Sequence, residues 1–267
     1  MAKKIQIVIW IIIAVIAFLA LGGLVYNLAR AVHEEPVHPV VTFEIMNLGT
    51  IKMELYQEYA PNTVANIIRL VEEGYYKDKT IYGKDANFLH FGGNLDGKLE
   101  IPLASLIRKD IQAGNDSDFS YTIPGEFVAN GYSYNELLHE KGVVTLLREN
   151  YGSALLQESY DSGVSRMGIV MADYAPNHNG NYAAFGKITE GLNLLENVYK
   201  TQEVIPAEVD ETTGEPIERS VEEFRVKLVV SSATVEKYGI DFGDPEIVEW
   251  FNYDEYVYQM FNLQYGS

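Results

Sequence analysis

Gly49-Thr50-Ile51-Lys52-Met53-Glu54-Leu55, followed by Ala60-Pro61-Asn62-Thr63-Val64-Ala65-Asn66, is the stretch on which the reading of this chain turns. In the first piece Ile51, Met53 and Leu55 alternate with Lys52 and Glu54, the period of two that gives a strand one buried and one wet face. Upstream, Val41 to Met46 is rich in β-branched and apolar residues, and Asn47-Leu48-Gly49 supplies a turn, so the two runs predict a β-hairpin. In the second piece the period changes. Pro61 suits a first helical turn, Val64, Ile67, Ile68 and Val71 recur at helical spacing, and Gly74 ends the helix.

Working outward, strands are expected near Asn87 to Phe91, Val143 to Arg148, Met167 to Ala172 and Ala184 to Ile188, with a second helix from Leu192 to Tyr199. Strands scattered among loops suit a closed antiparallel barrel. Thr201 to Glu223 carries eight acidic residues against Arg219 alone, plus two prolines, and reads as an exposed loop before a strand pattern resumes from Phe224 to Val235. The domain is expected over residues 40–238. Residues 239–267 form an acidic and aromatic tail, with Trp250, Phe251, Tyr253, Tyr256, Tyr258, Phe261 and Tyr265. A helix from Pro245 to Leu263 would either pack on the domain or dock a protein partner.

At the other end, Ile5 to Tyr26 is almost unbroken apolar sequence, long enough at 1.5 Å per residue to cross about 30 Å of hydrocarbon. Lys3 and Lys4 precede it and Glu34 and Glu35 follow, which by the positive-inside tendency leaves the N-terminus cytoplasmic and exports the domain. Residues 1–31 are thus expected to be a single transmembrane anchor and residues 32–39 a spacer. A cleavable leader is the competing reading, since Ala29-Arg30-Ala31 resembles a small-x-small cleavage site. Both readings export the domain.

Composition excludes several classes. The 267 residues carry a formal net charge of -18, with no cluster of Lys and Arg of the kind that nucleic acid requires. There is no cysteine, hence no disulfide, thiolate nucleophile or Cys-based zinc site. The acids Asp116 and Asp118, or Asp241, Asp244 and Glu246, follow no EF-hand loop, and His90 and His178 lack partners at metal-ligand spacing. No metal or other cofactor is expected.

The quoted stretch, with Glu73-Gly74-Tyr75-Tyr76 after it, resembles the opening of a cyclophilin, where G-T-I-x-x-E-L-Y leads into A-P-x-T-V-x-N-F and E-G-F-Y. Further pieces resemble the family in the same order: Asn87-Phe88-Leu89-His90-Phe91-Gly92-Gly93, Ile123-Pro124-Gly125-Glu126-Phe127, Gly142-Val143-Val144-Thr145 and Phe185-Gly186-Lys187-Ile188-Thr189-Glu190-Gly191. The resemblance implies a mainly β fold, an eight-stranded antiparallel barrel capped by two helices, here preceded by one transmembrane helix. It also implies cis/trans isomerisation of X-Pro bonds in proline-containing segments of exported proteins, with no cofactor.

In the family an arginine in F-H-R weakens amide conjugation at the prolyl nitrogen, beside an apolar pocket for the proline ring. Here that stretch reads Ile81-Tyr82-Gly83-Lys84-Asp85-Ala86, and Lys84 is the nearest charged substitute. Phe88 and Leu89 match the family's Phe and Met, while Phe91 replaces a glutamine that orients the arginine. Arg166 and Gly168, in Ser165-Arg166-Met167-Gly168-Ile169, replace a glutamine and the pocket-floor phenylalanine. Arg148, after Leu147, replaces an asparagine, and His178 and Tyr182 replace an apolar residue and a histidine. The resemblance therefore implies catalytic candidates Lys84, Arg148 and Arg166, and a substrate surface of Phe88, Leu89, Phe91, Leu147, Met167, His178 and Tyr182. The alternative for the arginines is ion pairing with Glu149, Glu158 or Asp161. Two functions stay open, a membrane-tethered isomerase and a binding or scaffold module that kept the barrel without turnover.

Overall fold

The computed structural model describes residues 13, 15–19, 21–22, 37–93, 121–150, 153, 156–206 and 221–248. The chain divides into residues 1–37 and 38–267. In the first part, the described residues 13, 15–19 and 21–22 are helical and exposed. Most of the expected span from Ile5 to Tyr26 lies outside the described residues, and no helix among them is long and apolar enough to cross a membrane.

In the second part the expected hairpin is β1, Val40–Ile45, and β2, Gly49–Leu55, turning through Asn47 and Gly49 at positive φ. The remaining strands are β3, Thr80–Lys84, β4, Phe88–Gly93, β5, Val143–Leu146, β6, Met167–Val170, β7, Ala183–Glu190, and β8, Glu222–Glu236. All pairings are antiparallel, and the order β1-β2-β7-β5-β6-β4-β3-β8 closes on itself. Strand β3 is a correction to the sequence reading, which left the segment around Lys84 as a loop. Its Ile81 is fully buried, but with Gly83 and a bulge its alternation is short and broken.

Closure rests on β8, whose 15 residues pair with β1 through Val235↔Val41 and Ala233↔Phe43, and with β3 through Val229↔Thr80 and Leu228↔Ile81. A closed sheet has one inside, and the alternating residues Val41, Phe43, Ile51, Met53 and Leu55 fill it. An aromatic group holds its centre: Phe43 meets Phe91 edge-on at 4.8 Å and Tyr76 at 5.6 Å, while Tyr76 stacks on Phe91 at 6.0 Å. Tyr76 is fully buried and donates its hydroxyl proton to the Ser165 carbonyl at 2.9 Å.

Two longer helices and one short one complete the domain: α1, Pro61–Glu72, α2, Leu156–Tyr160, and α3, Leu192–Thr201. The sequence reading found α1 and α3 but not the five-residue α2. His38, assigned to the spacer, bonds Glu54 at 3.2 Å and Glu58 at 3.0 Å and lies edge-on to Tyr56. At the far end, residues 245–248 are not helical: Pro245 is buried and Val248 forms a bridge with Thr122. The rest of the expected tail helix lies outside the described residues.

Helix α1 begins at Ala60, which has no side chain to cap it. The cap comes from Glu126, 63 residues beyond Thr63: one carboxylate oxygen accepts the Asn62 amide at 2.9 Å, and the other accepts the Thr63 amide and hydroxyl, each at 2.7 Å. An anion at a helix N-terminus also opposes the positive end of the macrodipole. Burial raises the Glu126 pKa above its ordinary value, against the lowering effect of these three bonds. Replacing Glu126 by Ala leaves three donors without an acceptor, so urea denaturation is expected to show a loss of about 2–4 kcal/mol. Glu126→Gln retains one acceptor oxygen and should lose less.

Candidate active site

Successive residues of a strand point to opposite faces, and the closed barrel makes one of those faces its interior. Along β4, Leu89 and Phe91 join the interior core, as do Met167 and Ile169 of β6 and Val144 and Leu146 of β5. Phe88 belongs to a separate cluster with Val143, Val170, Ala175 and Ala184, on the outer side of the same strands. This corrects the expected substrate surface. Leu89, Phe91 and Met167 are 0–4% exposed and fill the barrel, because each stands one residue out of phase with Phe88 or Gly168.

The outer site is built around Phe88. Gly168 of β6 lies beneath it, and a Cβ there would stand 3.2 Å from the Phe88 ring and 2.9 Å from Leu147 Cδ2. The floor that a side chain at 168 would form is therefore taken by Leu147. From the following loop, a 3-10 turn at Pro176–His178 sets the His178 ring edge-on to Phe88 at 4.6 Å, with Tyr182 at 6.5 Å from Phe88 and 5.4 Å from His178. Phe88 is left only 2% exposed. Leu147, His178 and Tyr182 thus lie around Phe88.

The three cations have separate fates. Lys84 stands opposite Leu89 on β3, and its ammonium donates to the Tyr199 carbonyl at 3.0 Å, 5.3 Å from the Tyr199 ring. It is thereby tied to α3. Arg166 is ion-paired with Glu149, the bland alternative considered above. Arg148 lies over three rings, Tyr182 at 4.7 Å, Tyr160 at 5.0 Å and Phe127 at 5.4 Å, and donates to the carbonyls of Asn181 and Glu149. Among the described residues its partners are carbonyls and ring faces, not carboxylates. Asp161 is used elsewhere, accepting from the Gly125 amide and the Asn130 side chain.

Two groups went unnoticed in the sequence. The first is Asp85, one of whose oxygens accepts the amides of Asn87 and Phe88 at 2.8 Å each, while the other lies 2.8 Å from His90 Nε2. Burial would raise the Asp85 pKa, but the bonds from His90 and the two amides bring it below the ordinary carboxylate value. His90 Nδ1 in turn lies 3.3 Å from the Tyr82 hydroxyl. Aspartate at 85 and histidine at 90 are far enough apart in sequence that only the β3–β4 turn reveals them as a pair.

The second is His139, 1% exposed, whose Nδ1 and backbone amide both bond Asn179 Oδ1 at 3.0 and 2.9 Å. Its ring stands 6.0 Å from that of His178 and 6.3 Å from Phe88. Its Nε2, His178 Nδ1 and the Thr145 hydroxyl are buried without a hydrogen-bond partner. Burial pushes the His139 pKa down to about 4, and lowers that of His178 as well. No group of three or more metal-ligating side chains occurs among the described residues.

Because folding depresses the His139 pKa from 6.5 to about 4, the unfolded chain binds the extra proton first as pH falls. The stability that this histidine contributes is therefore complete above pH 6.5 and is lost as the pH falls toward 4. The loss is on the order of 2–3 kcal/mol. Urea denaturation of the wild type and His139→Gln at neutral pH and near pH 4.5 is expected to show a smaller acid loss in the variant.

Comparison with known proteins completes the picture. Residues 40–222 match the sequence model for the family described as cyclophilin type peptidyl-prolyl cis-trans isomerase/CLD. Peptidyl-prolyl cis-trans isomerase B of Bacillus subtilis is 30% identical over 148 residues, 55% of this chain and 82% of that protein. Peptidyl-prolyl cis-trans isomerase-like 2 of Aspergillus fumigatus is 44% identical over 50 residues, 19% of this chain, and the match spans only 9% of that protein. A solved cyclophilin type peptidyl-prolyl cis-trans isomerase of Cryptosporidium parvum superposes with a TM-score of 0.47 at 17% identity, covering 75% of this chain and 99% of that one. The family match over residues 40–222, joined to the Bacillus subtilis relative, places this chain in the cyclophilin-type peptidyl-prolyl cis-trans isomerase family.

Proposed function

We propose that the chain is a membrane-anchored cyclophilin that binds proline-containing segments of exported proteins on the outer side of the membrane and speeds their isomerisation. The barrier to rotation about an X-Pro bond, about 18–20 kcal/mol, comes from amide resonance, so neither nucleophile nor metal is called for. What is needed is an apolar seat for the ring and polar groups placed in advance around the twisting amide. Phe88, Leu147, His178 and Tyr182 supply the seat. On this reading a client proline takes the place of the His178 ring against Phe88.

The observation that carries the proposal is the position of Arg148. It stacks on Tyr182 beside Phe88 and has no carboxylate partner among the described residues. A guanidinium that is not neutralised keeps its charge for a peptide carbonyl, and charge-assisted hydrogen bonds of this type are the strong ones. The membrane setting is supported by the apolar run from Ile5 to Tyr26 and the lysines before it.

A second reading, peptide binding without turnover, is favoured by the 2% exposure of Phe88 and by the engagement of Lys84 with α3 and of Arg166 with Glu149. One experiment separates the two. Exchange NMR on a proline tetrapeptide with the full-length chain in detergent micelles is expected to show cis/trans exchange faster than the uncatalysed rate. Binding with exchange at the uncatalysed rate selects the second reading, and absence of both overturns the two together. Arg148→Ala is expected to weaken peptide affinity about tenfold. For location, protease added outside intact cells should degrade the domain; a domain protected until lysis would refute export.

A further inference from the structure

The described residues include four arginines, and three of them are neutralised. Arg69 lies 3.8 Å from the Glu73 carboxylate, Arg225 lies 3.3 Å from that of Glu203, and Arg166 is ion-paired with Glu149. Arg148 is the exception. Its chain carries 38 acidic residues against 20 basic ones, yet among the described residues no carboxylate pairs with it. Glu149, next to it in sequence, is taken by Arg166, and Asp161 accepts from Gly125, Asn130 and Gln157.

The Arg148 charge is nevertheless held in place. The guanidinium lies over the rings of Tyr182, Tyr160 and Phe127 at 4.7, 5.0 and 5.4 Å. Its Nε donates to the Asn181 carbonyl at 3.2 Å and its Nη1 to the Glu149 carbonyl at 3.3 Å. Of the five N–H donors that a guanidinium carries, three therefore remain, both of those on Nη2 among them. Rings and carbonyls position the charge without cancelling it, so little side-chain freedom is lost when an anion arrives. The ring faces also displace water, and the lower local dielectric strengthens the attraction. Tyr182 connects this charge to the seat, since its ring lies 6.5 Å from that of Phe88. Arg148 thus stands at most about 11 Å from the Phe88 ring, the length of about three extended residues.

We propose that Arg148 selects clients by charge, binding the carboxylate of an Asp or Glu side chain that lies within about three residues of the proline seated at Phe88. The proposal rests on the proline-binding reading above. To the carbonyl contact, which any peptide can make, it adds one that only an acidic segment can make. A hydrogen bond between two ions is stronger than one to a neutral carbonyl, so the acidic segment is preferred. The chain as a whole, at a formal net charge of -18, repels acidic peptides from a distance, which confines the preference to the one position that reaches Arg148. Salt screens the distant repulsion more than it screens a contact flanked by three rings, so the preference persists at physiological ionic strength.

The test is the Kd of the full-length chain in detergent micelles, at about 0.15 M salt, for pairs of proline peptides that differ only as Glu against Gln. The exchanged residue is placed in turn one, two and three positions to either side of the proline. Glu and Gln have nearly the same shape, so the ratio of the two Kd values reads the charge. At one position the wild type is expected to bind the Glu peptide about five- to tenfold more tightly. Arg148→Gln is expected to bring that ratio to about one. Arg148→Met, whose unbranched apolar side chain still covers the three rings, should do the same and gives the answer if Arg148→Gln fails to fold. A wild type that binds both peptides equally at every position overturns this inference alone, as does a preference that survives in the folded variants. A wild type that binds no proline peptide overturns the proline-binding reading with it.

Discussion

Closure of the sheet through β8 is the constraint from which the rest of the domain follows. One strand of 15 residues satisfies β1 with one part of its backbone and β3 with the other, so no edge is left between them. Once the sheet is closed, inside and outside are defined for every residue of every strand. The aromatic contacts of Phe43, Tyr76 and Phe91 and the apolar residues of β2 then fill an interior that has no alternative occupant.

The same constraint sorts the site. Phe88 and Leu89 are adjacent in sequence and both apolar, yet one faces the groove side and the other the core, because the strand period is two. The outer cluster differs in kind from the interior. It is small, and it is bordered by polar atoms that lack partners, His139 Nε2, His178 Nδ1 and Thr145 Oγ1. Buried polar groups are normally satisfied, so these three are exceptions among the described residues. The charged residues divide along the same line. Lys84 and Arg166 are consumed by the scaffold, whereas Arg148 and the Asp85–His90–Tyr82 line border the outer face.

Much of the fold was legible because its signals are local. The alternation of Ile51, Met53 and Leu55 and the helical spacing of Val64, Ile67, Ile68 and Val71 each lie within a dozen residues, and both became the elements expected. Strand β3 was missed because a glycine and a bulge interrupt its pattern. The start of the tail was misread because helical spacing near Pro245 competes with a long-range bridge from Val248 to Thr122 and with the pairing of Asn62 to the backbone of Glu246. At the site, Leu147, His178 and Tyr182 lie around Phe88 on the outer face while Leu89, Phe91 and Met167 lie in the core, a division that motif matching does not reveal because it carries no information on which side a residue faces.

The sequence by itself determined the barrel and its family, because periodicity and ordered motifs survive without knowledge of any distant contact. It also determined that the family's arginine and its glutamine support are missing. Only the tertiary structure decided what stands near their place. Whether Lys84, Arg148 or Arg166 keeps a usable charge depends on partners brought up from α3, from Glu149 and from three aromatic rings. The link from Tyr82 through His90 to Asp85 exists only because a bulge turns one side chain and antiparallel pairing brings the other strand beside it. Side-chain direction and charge neutralisation are set by non-local contacts, and these arise only when the sheet closes.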